Sequence, residues 1–180
     1  MGEDREALIV QAEEAERIPL PHGGGFVLLA DARDTGGALG ANRLTLGPGA
    51  TGARPHFHTR STELFHVLEG VMWFDVDGRT TTVTAGGLVS VPPGVPHSFG
   101  AVPDSTAELL SVLAPGVDRF EYFRTLGRVQ YGQEAFDDLL QHQERYDVHF
   151  LPDPLTVSAP LPHLPHLPDL PDLPDLPHPR

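Results

Sequence analysis

The stretch Pro55-His56-Phe57-His58, followed by Glu63, decides how this chain is read. Its two histidines stand at i and i+2. On a β-strand those positions project to one face, so both imidazoles aim at one point and Phe57 turns away. Imidazole is the commonest metal-ligating side chain, and a carboxylate is a natural companion to it. A further imidazole donor would extend the set.

The segments on either side are strand-like. From Phe26 to about Leu113, short apolar runs alternate with turn clusters: FVLLA, LGANRLTL, ELFHVL, VMWFDV, TTTV, LVSV and AELLSVL. The breakers include Gly47-Pro48-Gly49, Glu69-Gly70, Asp77-Gly78 and Pro92-Pro93-Gly94. Asp77-Gly78 before a Thr-rich run signals a hairpin. Many short strands with regular turns indicate an all-β sandwich or barrel. The third imidazole comes from this pattern. The run Leu88–Val91 enters the Pro-Pro-Gly turn, and His97 opens the next strand.

These two stretches resemble the two motifs of the cupin superfamily. His56, His58, four residues, Glu63, six residues and Gly70 follow the first. Gly86, Pro92, Gly94 and His97 are in register with the second. Ala50 and Ala101 replace the opening Gly and closing Asn of the two motifs; neither is a ligand position. The resemblance implies a jelly-roll β-barrel, with His56, His58, Glu63 and His97 as ligands of one divalent transition metal. Fe, Mn, Ni, Co, Cu and Zn all suit a mixed N/O set. More narrowly, the chain is similar to single-domain bacterial cupins of the quercetin (flavonol) dioxygenase-like type. That likeness extends loosely into APGVDRFEYFRTLG and RYDVHFLPDP, and a homodimer is implied with it.

The expected organisation has four parts. Residues 1–25 form an N-terminal arm, in which Ala7–Val10 is a candidate strand for exchange with a partner and Glu13–Arg17 a helical turn. Residues 26–115 form the barrel. Residues 116–152 form two amphipathic helices packed on its outside, with Phe120, Phe123 and Leu126 on one stripe and Phe136, Leu139 and Leu140 on the other. Residues 153–180 form a Leu-Pro-His/Asp tail of period three, read as disordered because proline at every third position blocks helix and sheet. His163, His166 and His178 in that tail lack the fixed geometry of a metal site.

Composition narrows the function. The net charge is −13 over 180 residues, which disfavours nucleic acid and anionic membranes as partners. The chain has no cysteine, which removes disulfides and thiolate sites. The N-terminus lacks a basic, then apolar, leader, so a cytoplasmic location is expected. Alternation with Glu63 and His97 assigns Phe65, Val67, Met72, Phe74 and Phe99 to a substrate pocket, with Trp73 on the opposite face. His66, His142 and His149 read as structural, His22 as a solvated loop residue and Glu69 as a strand end. Glu63 doubles as a candidate general base. The expected activity is a metal-dependent dioxygenase for a small aromatic or enolisable substrate, with O₂ as candidate co-substrate. The alternatives are a redox-neutral isomerase or polyketide cyclase, and a non-catalytic binding module.

Overall fold

Strand β5, Thr62–Val76, joins the two halves of the molecule. The computed structural model describes residues 7–152. The sequence pattern places a turn at Glu69-Gly70; the structure instead runs one strand of 15 residues through it. Gly70 adopts φ 72°, and the ladder shifts register between Val67 and Glu69. The strand bends there without ending. Before the bend β5 pairs with β9 (Ala107–Ala114) and β7 (Leu88–Val91). After it, β5 pairs with β8 (His97–Ala101) and β6 (Arg79–Thr84).

Two sheets therefore share one strand. The first continues from β9 through β3 (Gly40–Leu46) and β2 (Gly25–Ala30) to β1 (Glu16–Pro19). The second continues from β8 through β4 (Thr51–Phe57) to the short β10 (His149–Phe150). All of these pairings are antiparallel. The result is an all-β barrel of the jelly-roll kind. Asp77 and Gly78 both take positive φ in the β5–β6 hairpin, as the sequence signal required.

The inward faces follow the alternation. Glu63, Phe65 and Val67 are buried before the bend and Met72 and Phe74 after it, so the inward parity switches across Glu69-Gly70. Phe65, Phe74 and Phe99 pack with ring centroids 4.9–5.7 Å apart. With Val67 and Met72, these rings fill one part of the barrel interior. Trp73 lies on the outer face, with its indole over Gly100 of the neighbouring strand.

Outside the strands, several expectations are corrected. Residues 7–10 form no strand, and Leu8, Ile9 and Val10 are exposed. The turn near Glu13 is present, closed by Glu14 and Ala15 N–H donating to Gln11 O. It leads directly into β1 from Glu16, so Glu16 and Arg17 are extended. The C-terminal region holds three short helices where two were expected: α1 (Phe120–Gln130), α2 (Phe136–Leu140) and α3 (Gln143–Tyr146). Leu139 is buried but Leu140 is exposed, because α2 ends after little more than one turn. The tail, with His163, His166 and His178, lies outside the described residues. Among the described residues, no helix is long and apolar enough to cross a membrane.

Gly70→Ala tests the bend. A Cβ at Gly70 would sit 1.9 Å from the Thr106 carbonyl oxygen, on a backbone in the left-handed region. The substitution is expected to lower stability by about 2 kcal/mol or more, read by denaturant unfolding.

Candidate metal centre and cavity

Strand geometry brings the two sequence motifs face to face. His56 on β4 stands directly opposite His97 on β8, with ring centroids 4.3 Å apart. The ladder shifts register between Ala53 and His56, where Pro55, which has no N–H to give, sits beside His56. His58 follows the end of β4, and Glu63 lies near the start of β5. All four side chains are buried. Their ligand atoms lie within 4.8 Å of one another. The three Nε2 atoms surround Glu63 Oε2, at 2.6 Å from His58, 3.1 Å from His97 and 3.9 Å from His56.

The opposite edge of each ring fixes its tautomer. Nδ1–H of His56 donates to Arg54 O at 2.8 Å, and that of His97 to Val95 O at 3.0 Å. His58 Nδ1–H donates to the Asp147 carbonyl. Each Nε2 lone pair is therefore left facing the centre, the usual outer support of a metal-bound histidine. Burial, and next the His97 imidazole, pushes His56 down to about 3, so this ring stays neutral. Burial alone would raise Glu63. The neighbouring His58 and His97 outweigh it and hold Glu63 well below the usual carboxylate range. Three imidazole nitrogens and one carboxylate converging on one point fit a divalent transition metal.

Asp147 holds the loop between His58 and Glu63. It caps the C-terminal end of α3 with φ 50° and is fully buried. Its carboxylate accepts from Thr59 N (2.8 Å), Thr59 Oγ1 (2.6 Å), Arg60 N and Ser61 N (both 3.2 Å). Burial opposes its charge, but the Thr59 bonds prevail and hold it at about 2. β10 then pairs with β4, and Leu151 N–H donates to Pro55 O.

A cavity of about 370 Å³ opens beside the cluster. His56 and Glu63 reach its wall, together with Phe26, Leu44, Leu46 and Leu109. The five residues assigned by alternation divide. Phe99 lines the cavity, whereas Phe65, Val67, Met72 and Phe74 do not. Those four do face inward, but they are wholly buried where the interior is filled. The helices are corrected too: α1 and α2 contribute Tyr122, Phe123, Leu126 and Phe136 to the cavity wall, so they do not simply pack outside. His22 is exposed, yet it also lines the opening. His66 Nδ1–H donates to Gly87 O, and His149 stacks on Phe57.

The wall also carries polar residues that were not anticipated, among them Asn42, Ser111, Arg119 and Tyr122. Asn42 and Ser111 are register partners on β3 and β9, and Ser111 Oγ donates to Glu63 Oε1 at 2.7 Å. Their signal was present in the sequence, since both occupy the buried parity of otherwise apolar strands. Burial pushes the Tyr122 hydroxyl up to about 12, with Arg119 opposing and Glu63 adding to the shift. Arg119 precedes α1, and its backbone N–H donates to the buried Asp31 carboxylate at 2.6 Å.

Fold and site together define a cupin-type barrel. Residues 42–113 match the model of the cupin domain family, a span holding all four clustered residues and Ser111. Among curated proteins, the chain is 39% identical over 64 residues to the Probable oxidoreductase patJ of Penicillium expansum. That match covers 35% of this chain and only 20% of the relative, so the chain spans about a fifth of the curated protein. Solved structures share the fold at lower identity. An RmlC-like cupin from Shewanella frigidimarina is 24% identical, with a TM-score of 0.52 over 65% of this chain and 96% of that one. The polyketide cyclase RemF from Streptomyces resistomycificus is 23% identical, with a TM-score of 0.51 over 69% and 98%. The family-model match and the shared fold support the cupin superfamily, and the buried four-residue cluster fits a metal site of that family.

Two variants test the centre. His56→Ala is expected to abolish metal retention after dialysis, measured by elemental analysis. Asp147→Ala leaves all four ligands in place but frees their loop, and is expected to weaken metal affinity by about 10–100-fold in a competitive chelator titration.

Proposed function

We propose that this chain is a metal-dependent cupin oxygenase for a small aromatic or enolisable substrate, quercetin 2,3-dioxygenase-like in reaction class. The observation that carries this reading is the four-ligand cluster opening into a largely apolar cavity. The probable-oxidoreductase name of the curated relative supports it. His56, His58, Glu63 and His97 would hold the ion. When bound, a divalent transition metal supplies Lewis acidity toward an enol oxygen and, if redox-active, electrons to O₂.

The chain's own groups do the rest. Glu63 turns one carboxylate oxygen to the cluster and the other to Ser111. Held strongly anionic, it is a ligand first and a weak base second. If it loosens from the ion it can take the proton of an enol hydroxyl as general base. Phe26, Phe99, Phe123 and Phe136 offer flat apolar walls that exclude water from a ring. The Tyr122 hydroxyl makes no hydrogen bond among the described residues, so it is free to donate to a substrate oxygen. That free donor is also the feature favouring a redox-neutral reading, enolisation or cyclisation without O₂. Assembly as a homodimer through the exposed Leu8–Val10 segment accompanies the proposal, with light scattering as its measurement.

Oxygen uptake distinguishes the chemistries. Protein loaded separately with Fe, Mn, Ni, Co, Cu or Zn is mixed with flavonols and smaller enolic aromatics in an oxygen-electrode cell. The expected result is O₂ consumption matched to loss of the enol absorbance with at least one redox-active metal, and none with His56→Ala. Loss of absorbance without O₂ uptake would transfer the assignment to the redox-neutral class. No reaction in either sense would reject catalysis on these substrates.

A further inference from the structure

Arg119 is a buried cation with nothing in contact to neutralise it. The residue is 7% exposed, and its Nε is fully buried without a hydrogen-bond partner. Among the described residues its guanidinium makes no hydrogen bond or ion pair. Asp31 accepts from the backbone N–H groups of Arg119 and Phe120 and not from the guanidinium. Glu63 feels the Arg119 charge, but its oxygens are committed to Ser111 and to the histidine cluster. The guanidinium lies over Tyr122 and Phe123, with Cζ 5.2 Å and 5.6 Å from the ring centroids. These faces hold it in place without supplying an acceptor.

An unpaired buried guanidinium is costly, and guanidinium is the group best shaped to grip a carboxylate through two parallel bonds. Its surroundings reinforce the point. The chain carries −13 overall, yet the cavity wall has Arg54 and Arg119 against one carboxylate, Glu63, which is itself a candidate ligand. Arg54 on the wall is held with its Cζ 4.1 Å over the Phe136 ring. A bound divalent ion would add to this positive field. Cationic walls inside an acidic protein select an anion.

We infer that Arg119 is a specificity-determining residue that pairs with a carboxylate of the substrate, so the cavity takes an enolisable acid. This deepens the proposed function and rests on it for the enol half of the ligand. The enol oxygens would face the metal centre while the carboxylate reaches Arg119, with Asn42 and Tyr122 as additional free donors on the wall.

A matched pair of probes tests this by isothermal calorimetry on the Zn-loaded protein, which is redox-inert. Acetylacetone enolises and chelates metals. Acetopyruvate is the same diketone with one terminal methyl replaced by a carboxylate. Wild type is expected to favour acetopyruvate on the order of tenfold to a hundredfold, the range of one charge-assisted pair. Arg119→Met is expected to collapse that ratio toward one, and Arg119→Lys to restore part of it. Thermal unfolding of both variants reports whether they fold, and the ratio is read on whichever does.

Equal affinity in wild type overturns the inference. So does a preference that persists in Arg119→Met, since the carboxylate then acts through the metal, and so does a loss of stability with the ratio intact, since Arg119 is then structural. Repeating the titration on metal-free protein separates the two readings. Metal-dependent binding without discrimination rejects the carboxylate subsite alone. An Arg119-dependent preference that survives metal removal keeps the subsite and rejects the metal-centred enol site.

Discussion

The Glu63 carboxylate is the constraint around which this structure closes. A buried carboxylate is tolerated only if its charge is met and its lone pairs are occupied. Here one oxygen is surrounded by three imidazoles and the other accepts from Ser111. Meeting those demands draws on four separate strands: β4 with His56, β5 itself, β8 with His97 and β9 with Ser111. His58 arrives from the loop beyond β4. Barrel closure and the convergence of the four clustered side chains are thus one geometric fact. The packed rings of Phe65, Phe74 and Phe99 support it, with Phe65 5.9 Å from the His97 ring.

Two buried aspartates carry this order into the segments that follow the barrel. Asp31 accepts the N–H groups of Arg119 and Phe120 and so fixes where α1 begins. Asp147 accepts the N–H groups of the ligand loop and, through its carbonyl, orients His58. Both exploit the ability of one carboxylate to satisfy several orphan donors at a chain turn. As a result α1 and α2 line the cavity, and β10 adds a rung to β4. The C-terminal region belongs to the site as much as the strands do.

The sequence made the ligands legible because they sit in short, rigid local patterns. A His-x-His pair on a strand and a histidine delivered by a Pro-Pro-Gly turn suggested a site from spacing, and the cupin resemblance joined them into one candidate ligand set. The inward face of β5 was readable for the same reason, and its members do face inward. Which part of the interior is filled and which is hollow depends on residues far apart in the chain, so alternation could name Phe65 and Phe74 but not see that they plug the barrel. Asn42 and Ser111 were within reach, as polar residues on an apolar parity. Arg119, Tyr122 and Asp147 were not. Their roles come from tertiary placement, and nothing in VDRFEYFRTLG or RYDVHF marks them. Glu69-Gly70 misled in the opposite way, since a strong turn signal was overridden by pairing on both sides and became a bend.

The Asp147–His58 link also bears on the order in which the molecule is made. The contact spans 89 residues, and Asp147 lies beyond every strand that carries a ligand. During synthesis the barrel strands and all four ligands emerge first, with the Thr59–Ser61 loop lacking the acceptor that orders it. Only after the chain has grown past residue 147 can the loop close and His58 take its tautomer. The four clustered residues thus emerge in synthesis ahead of the Asp147 groups that hold the loop between His58 and Glu63.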